Sequence, residues 1–482
     1  KIMLAIDRKQ GEFLYSQVVD LVSEQVRSGA LRPGDRLPSL RRMSDMLELS
    51  IPTVRQAYLE LERHGRVEAR PKSGYFVQAL RQNRLVKVGC KTCKPMKVSC
   101  RKLIDRVYDG IHTPGVLPLG IANPCMAAPA VKTLHRAMKR VMSRAEERAL
   151  GYAPTNGDPG LKRQIAYRYL NLGGGVDPAE VIVTNGGQEA LAIALQSVAS
   201  RGDIVAIESP AYTGMLELIE SLGMLALEIE TCPVNGVNLA ALERALGTHD
   251  IQACMFSASV NNPLGCVTSD AYRQRLVELL ESHEVPLIED DVYGELVFEG
   301  PRPKPAQFFS RKGQVLTCGS FSKTVAPGYR VGWLLPGNYL ESAQKLKRAI
   351  SCCSGLLSQL TLSEHLASGD YDRHLKRLIP VLKQNAQRMS AAVERSFPAD
   401  TGISDPKGGS VLWLELPGNV DSELLFDRAI EENISIMPGD VFAAGRRYRN
   451  FIRLSFGHPW SDQIDAGIDR LGGLVHELAG NK

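Results

Sequence analysis

Lys323 lies in GSFSKTVAPGYRVGW (319–333), between Ser322 and Thr324 and seven residues before Arg330. A lysine amine can condense with an aldehyde to form a Schiff base. If that aldehyde sits on a phosphorylated pyridine ring, the site needs more. A carboxylate must keep the ring nitrogen protonated so that the ring accepts electrons. The phosphate needs hydroxyls, amides and an arginine. The ring oxygen needs donors, and the ring face needs an aromatic side chain. The chain offers each of these. VPLIEDDVYGEL (285–296) supplies Asp290 and Tyr293, and SVNNPLG (259–265) supplies Asn262. ESPAYTG (208–214) supplies Tyr212, while Ser320, Ser322 and Arg330 flank the lysine itself. In TNGGQEALAIAL (184–195), Gly186, Gly187 and Gln188 open a helix whose N-terminal amides face an anion. Each residue alone has an ordinary reading: a strand-end aspartate often caps a helix, a lone lysine is usually a surface charge, and a glycine pair makes turns. The set together points to pyridoxal 5′-phosphate.

The elements that must hold this set are legible as short apolar runs alternating with helical segments. VIVT (181–184), DIVAIE (203–208), ACMFSA (253–258) and VPLIEDD (285–291) read as strands. That alternation predicts an α/β body with a largely parallel sheet. Sites in such sheets lie at the carboxyl ends of the strands, where the candidate residues fall.

The front of the chain has a different texture. Leu14, Val18, Leu21, Val22 and Val26 are spaced as one face of a helix that stops at Ser28-Gly29. Ser39 can cap a second helix over 39–49. Ser50 and Pro52 open a third that ends at Gly65. RVEARPKSGYFV (66–77) reads as a hairpin turning at Pro71-Lys72-Ser73-Gly74. This is the order of a winged helix-turn-helix, with the third helix presented to the major groove of double-stranded DNA. Thr53 and Arg55 lie where that helix meets base edges, and arginine suits guanine. Arg41, Lys72 and the Gly74 backbone are placed for phosphates.

Charge follows the same division. Residues 1–106 hold 22 lysines and arginines against 11 acids, and the rest of the chain 36 against 42. A basic front on an acidic body suggests an anionic partner for the front alone. Between them, residues 81–112 read as a basic linker of little periodicity. Cys90, Cys93 and Cys100 have the close spacing of zinc thiolates, but the nearest fourth ligand, His112, is a loose fit, and no metal is expected. The 482 residues contain no apolar run of membrane-spanning length, and the ten scattered cysteines do not resemble a secreted disulfide framework. The expectation is a cytoplasmic protein.

Two resemblances then apply. RLPSLRRMSDMLELSIPTVRQAYLELERHGRVEARPKSGYFV resembles the DNA-binding domain of the GntR family of bacterial regulators over about residues 13–77. It implies DNA contacts by Arg41, Thr53, Arg55 and Gly74. Residues from about 115 to 475 resemble fold-type I aminotransferases, through GYAPTNGDPGLKRQIA (151–166), NNPLG, GSFSKTVAPGYRVGW and FIRLSF (451–456). The usual NP-Thr-Gly is NP-Leu-Gly here. This second resemblance implies that Lys323 forms the internal aldimine, that Asp290 pairs with the pyridine nitrogen, and that Arg453 grips the carboxylate of an amino-acid ligand. It also implies a homodimer in which Tyr152 reaches the neighbour's cofactor. The whole arrangement, 1–80 winged helix, 81–112 linker and 113–482 aminotransferase-like body with a small C-terminal subdomain, resembles the MocR-type regulators. That implies a DNA-binding regulator responsive to the cofactor or to an amino-acid or amine effector. A working aminotransferase carrying a DNA-binding domain is the alternative.

Overall fold

In a computed structural model of the chain, the described residues are 6, 13–28, 30–70, 73–78, 84–86, 94–99, 101–111, 113–123 and 128–480. The front domain comprises α1 (Leu14–Arg27), α2 (Leu40–Leu47), α3 (Ile51–Arg63) and a hairpin of β1 (Val67–Arg70) and β2 (Gly74–Val77). Val18 and Val22 of α1 meet Val54, Ala57, Tyr58 and Leu61 of α3 in a core of their own, separate from those of the body. The caps read from sequence are in place: Ser39 accepts the Arg42 amide at 3.3 Å, and Ser50 the Thr53 amide at 3.2 Å. The second helix is shorter than expected. Glu48 takes a left-handed φ of 52°, and the Ser44 hydroxyl donates to the Leu49 carbonyl at 2.5 Å, which ends the helix.

The stretch read as a linker contains two elements built into the body. They are β3 (Arg84–Leu85) and α4 (Arg101–Ile111). Ile104 and Val107 of α4 are buried one helical turn apart, a period that the surrounding lysines obscured in the sequence. The body continues with α5 (Ala128–Ala145), α6 (Pro159–Asn171), β4 (Ile182–Thr184) and α7 (Gly187–Val198). Next come β5 (Ile204–Ser209), α8 (Thr213–Ser221), β6 (Leu225–Cys232), β7 (Gly236–Val237) and α9 (Leu239–Thr248). Then follow β8 (Ile251–Phe256), α10 (Asp270–Ser282), β9 (Leu287–Asp290), β10 (Val315–Ser320) and β11 (Gly332–Leu335).

These strands form one sheet in the order β4-β11-β10-β9-β8-β5-β6-β7. The pairs β10-β9, β9-β8, β8-β5 and β5-β6 are parallel, while β11 runs antiparallel to both its neighbours and β7 antiparallel to β6. The central strands are apolar and buried almost throughout, as strands covered on both faces by helices must be.

Helices α11 (Leu340–Ser351), α12 (Leu356–Ala367) and α13 (Asp370–Ser396) lead to the smaller C-terminal part. It holds β12 (Gly402–Ile403), β13 (Val411–Glu415), α14 (Ser422–Glu431), β14 (Met437–Pro438), β15 (Phe451–Ser455) and α15 (Asp462–Gly480). Its sheet runs β14-β15-β13-β12-β3, so β3 from the linker closes one edge by pairing parallel to β12. Arg106 of α4 pairs with Glu423 at 2.6 Å and with Asp427, both on α14.

Candidate functional site: a lysine at the strand ends and a basic winged helix

The carboxyl ends of β4, β5, β9 and β10 and the N-terminus of α7 converge on Lys323. The Lys323 ammonium donates to the Ala122 carbonyl at 2.6 Å. Loss of water pushes its pKa down to about 8, with Arg453 and Arg330 adding to the shift and Asp290 opposing it. Asp290, the last residue of β9, accepts the Val292 amide at 3.1 Å. Burial raises its pKa to about 6, helped by Asp291 and opposed by Lys323. The two groups therefore feel each other's charge.

Behind the lysine is a polar cup. Ser320 donates to the Ser322 hydroxyl at 2.9 Å, and Arg330 donates to the Ser322 hydroxyl at 3.3 Å and to the Asn185 carbonyl at 3.1 Å. Gly186 has φ 78° and ψ 178°, a region open essentially to glycine alone. A Cβ there would come within 2.3 Å of the Arg330 guanidinium. The first turn of α7, with Gly187 and Gln188, opens into this cup. Gln188 donates to the Gly214 carbonyl at 2.8 Å and accepts from the Tyr212 hydroxyl at 3.4 Å, which fixes the ring of Tyr212.

Arg453 on β15 faces the same space from the smaller part. It is 4% exposed and donates to Asn262 Oδ1 at 3.2 Å and to the Gly120 carbonyl at 2.9 Å, while its Nε has no hydrogen-bond partner among the described residues. Tyr293 is buried and its hydroxyl accepts from Ser410 at 3.4 Å. Tyr212 and Tyr293 both raise the Arg453 pKa against the lowering by burial, as near neighbours do. The structure thus brings together Gly186, Gly187, Gln188, Tyr212, Asn262, Asp290, Tyr293, Ser320, Ser322, Lys323, Arg330 and Arg453. Tyr152 stands apart, 88% exposed on the surface of the chain.

Three contributors were not read from the sequence. The carbonyls of Gly120 and Ala122 hold Arg453 and Lys323, and a backbone acceptor leaves no signature in residue type. Tyr108 on α4 acts electrostatically on both Arg453 and Tyr212, so the supposed linker borders the pocket.

On the front domain, Arg41 and Arg55 are exposed. Thr53 is half-buried, and its hydroxyl is 2.7 Å from that of Ser50, within the helix cap. Lys72 lies outside the described residues. Gly74 has φ 102°, and a Cβ there would sit 3.2 Å from the Arg36 guanidinium. Arg36 and Arg70, the latter stacked on Phe76 at 4.5 Å, extend the basic surface of the wing beyond what was read. Cys90, Cys93, Cys100 and His112 lie outside the described residues, and among the described residues no cluster could hold a metal. Among them, too, no helix is long and apolar enough to cross a membrane.

A winged-helix DNA-binding domain joined to an aminotransferase-type body with a partly buried lysine at its strand ends is the class these observations define. Comparison with known proteins agrees. Residues 114–471 match the family "Aminotransferase class I and II", and residues 14–77 match "Bacterial regulatory proteins, gntR family". The chain is 33% identical to the HTH-type transcriptional regulator YjiR of Escherichia coli, over 96% of this chain and 98% of that protein. It is 35% identical to the regulator YdcR of the same organism, over 96% and 99%. Among solved structures, LysN of Thermus thermophilus, an α-aminoadipate aminotransferase complexed with N-(5′-phosphopyridoxyl)-L-leucine, aligns over 79% of this chain and 99% of its own. The TM-score is 0.71 at 29% identity. The chain therefore belongs to the aminotransferase class I and II family and, through its gntR-type front domain, to the transcriptional regulators built on it. Pyridoxal phosphate is the cofactor of this family, and the residues present fit it. The glycine cradle at Gly186, the hydroxyl-arginine cup and the unpartnered Arg453 Nε together suit an anionic ligand beside a reactive amine.

Proposed function

We propose that the protein binds operator DNA through α3 and the wing, and that its body reports on pyridoxal phosphate and an amino compound to that domain. When bound, pyridoxal phosphate supplies an aldehyde that condenses with primary amines and a ring that accepts electrons. Lys323 would hold that aldehyde, Asp290 would keep the ring nitrogen protonated, and Ser320, Ser322, Arg330 and the α7 amides would hold the phosphate. Tyr212 would cover the ring face, with Asn262 and Tyr293 serving the ring oxygen. Arg453 would take the carboxylate of the effector, a planar two-oxygen group suited to its fork. Arg41, Thr53, Arg55, Lys72 and Gly74 would make the DNA contacts. A homodimer would present two such domains to two half-sites, and Tyr152, at the surface, would serve the partner's pocket.

The observation that carries this reading is Lys323 itself: a partly buried amine whose pKa is lowered to about 8, under the charges of Asp290 and Arg453, in the same chain as an exposed basic recognition helix. The test is a footprint on the DNA upstream of the protein's own gene, with and without pyridoxal phosphate, for wild type and Lys323→Ala. A defined protected segment that changes with cofactor in wild type alone is expected. Binding that is blind to sequence and to both changes would overturn the reading. The lowered pKa also favours a second reading, turnover of an amino donor and a 2-oxo acid, because a neutral lysine is a competent base for the proton at Cα. Repeated turnovers without DNA would identify it.

A further inference from the structure

One helix touches both the pocket and the DNA-binding domain. At the N-terminal end of α13, the His374 ring donates to the Thr324 carbonyl at 2.7 Å, and the Tyr371 hydroxyl donates to the Thr324 hydroxyl at 2.9 Å. Thr324 is the residue after Lys323. Midway along, Asn385 donates to the carbonyls of Phe456 and His458 at 3.0 and 2.9 Å, just beyond the strand that carries Arg453. The same turn and the next hold the front domain. Lys383 and Gln387 bond both oxygens of Asp20 on α1 at 3.3 and 3.1 Å, and Gln384 donates to Tyr15 at 2.7 Å. Arg388 forks onto Glu60 of α3, its Nε at 3.0 Å from Oε2 and its Nη2 on Oε1. Glu60 is 1% exposed and lies five residues after Arg55 on the same helix.

We infer that α13 couples the state of the Lys323 pocket to the position of the recognition helix, through Thr324 at one end and the Arg388–Glu60 pair at the other. The inference rests on the proposed regulatory reading. His374 and Arg388 lie 14 steps apart, a rise of about 21 Å along one continuous helix that carries Pro380 between them, where one rung of the hydrogen-bond ladder is missing, and the element is bonded at both ends. The seam it forms is suited to release. The contacts just named are all polar, the front domain keeps its own core, and a cleft of about 930 Å³ lies beside the seam, between Val19, His64, Gln387 and Ser404. Glu60 takes its counter-charge from Arg388 and, more weakly, from the exposed Arg63, whose Nη1 lies 3.4 Å from Oε1, because burial holds the neighbouring His64 neutral, its pKa pushed down to about 4. A shift of Thr324 when the adjacent lysine changes partner therefore has a bonded route to α3.

Hydrogen exchange of the full-length protein, with and without pyridoxal phosphate, tests this directly. In wild type, cofactor is expected to change the exchange rate of amides in 56–63 and 383–390 by at least about threefold. In Arg388→Glu and in His374→Phe, which should still bind the cofactor by its visible absorbance, the change at 56–63 should fall within error. The charge-exchanged pair Glu60→Arg with Arg388→Glu should restore it. Unchanged exchange at 56–63 in cofactor-loaded wild type, or an undiminished response in both single variants, would overturn the coupling. Operator affinity measured on the same samples separates the two claims. A response at 56–63 without any change in DNA binding sinks the regulatory reading and leaves the coupling standing.

Discussion

Lys323 and Asp290 set how the pocket should respond to pH. Only the neutral amine attacks an aldehyde, and with a pKa of about 8 roughly one lysine in ten is neutral at pH 7. The rate of pyridoxal phosphate loading is therefore expected to rise about tenfold per pH unit below 8 and to level off above it, as followed by absorbance after rapid mixing. A rate already flat across pH 6–8 would mean that the amine is not held as described. Gly186→Ala forces a side chain onto the Arg330 guanidinium in a backbone region that costs about 1–3 kcal/mol for other residues. It should lower cofactor affinity and melting temperature together, whereas Gly175→Ala, with open space around it, should alter neither. Residues that act through their side chains were legible in the sequence because strand ends place them: Asp290, Asn262 and Lys323 each follow an apolar run. The acceptors at Gly120 and Ala122 were not, since their chemistry belongs to the backbone.

At the scale of elements, α3 was readable because its ends are marked by Ser50, Pro52 and Gly65 and its inner face by Val54, Tyr58 and Leu61. α4 was not, because a short helix with two core positions among charged residues looks like a solvated tether, and only tertiary packing against α14 reveals it. The winged helix separates two kinds of contact. Arg55→Ala should cost about 1–3 kcal/mol and relax base preference at one operator position, while Arg36→Ala on the wing should weaken all sequences alike and reduce the salt slope of binding by about one. Titrations of wild-type and single-base-changed fragments at several salt concentrations distinguish them. A loss of base preference in the Arg36 variant would place the wing arginine on base edges.

For the whole molecule, separate cores predict separate melting. The front domain is small and buries proportionately less surface than the body, and it meets the body through α13 in hydrogen bonds and ion pairs. Calorimetry should show a lower transition for the front and an upper one for the body, with pyridoxal phosphate raising the upper one by mass action. A single transition that moves as one with cofactor would mean that the seam is far stronger than its contacts suggest. The strand β3 adds a further constraint. Because Arg84 is already fixed to β12, only six Cα steps separate it from Gln78 at the end of the wing, a reach of about 20 Å at most. A domain on so short a leash meets its own docking face at an effective concentration on the order of millimolar. A contact of only millimolar intrinsic strength would then be made about half the time, the point at which a small push from the pocket moves the greatest fraction of molecules.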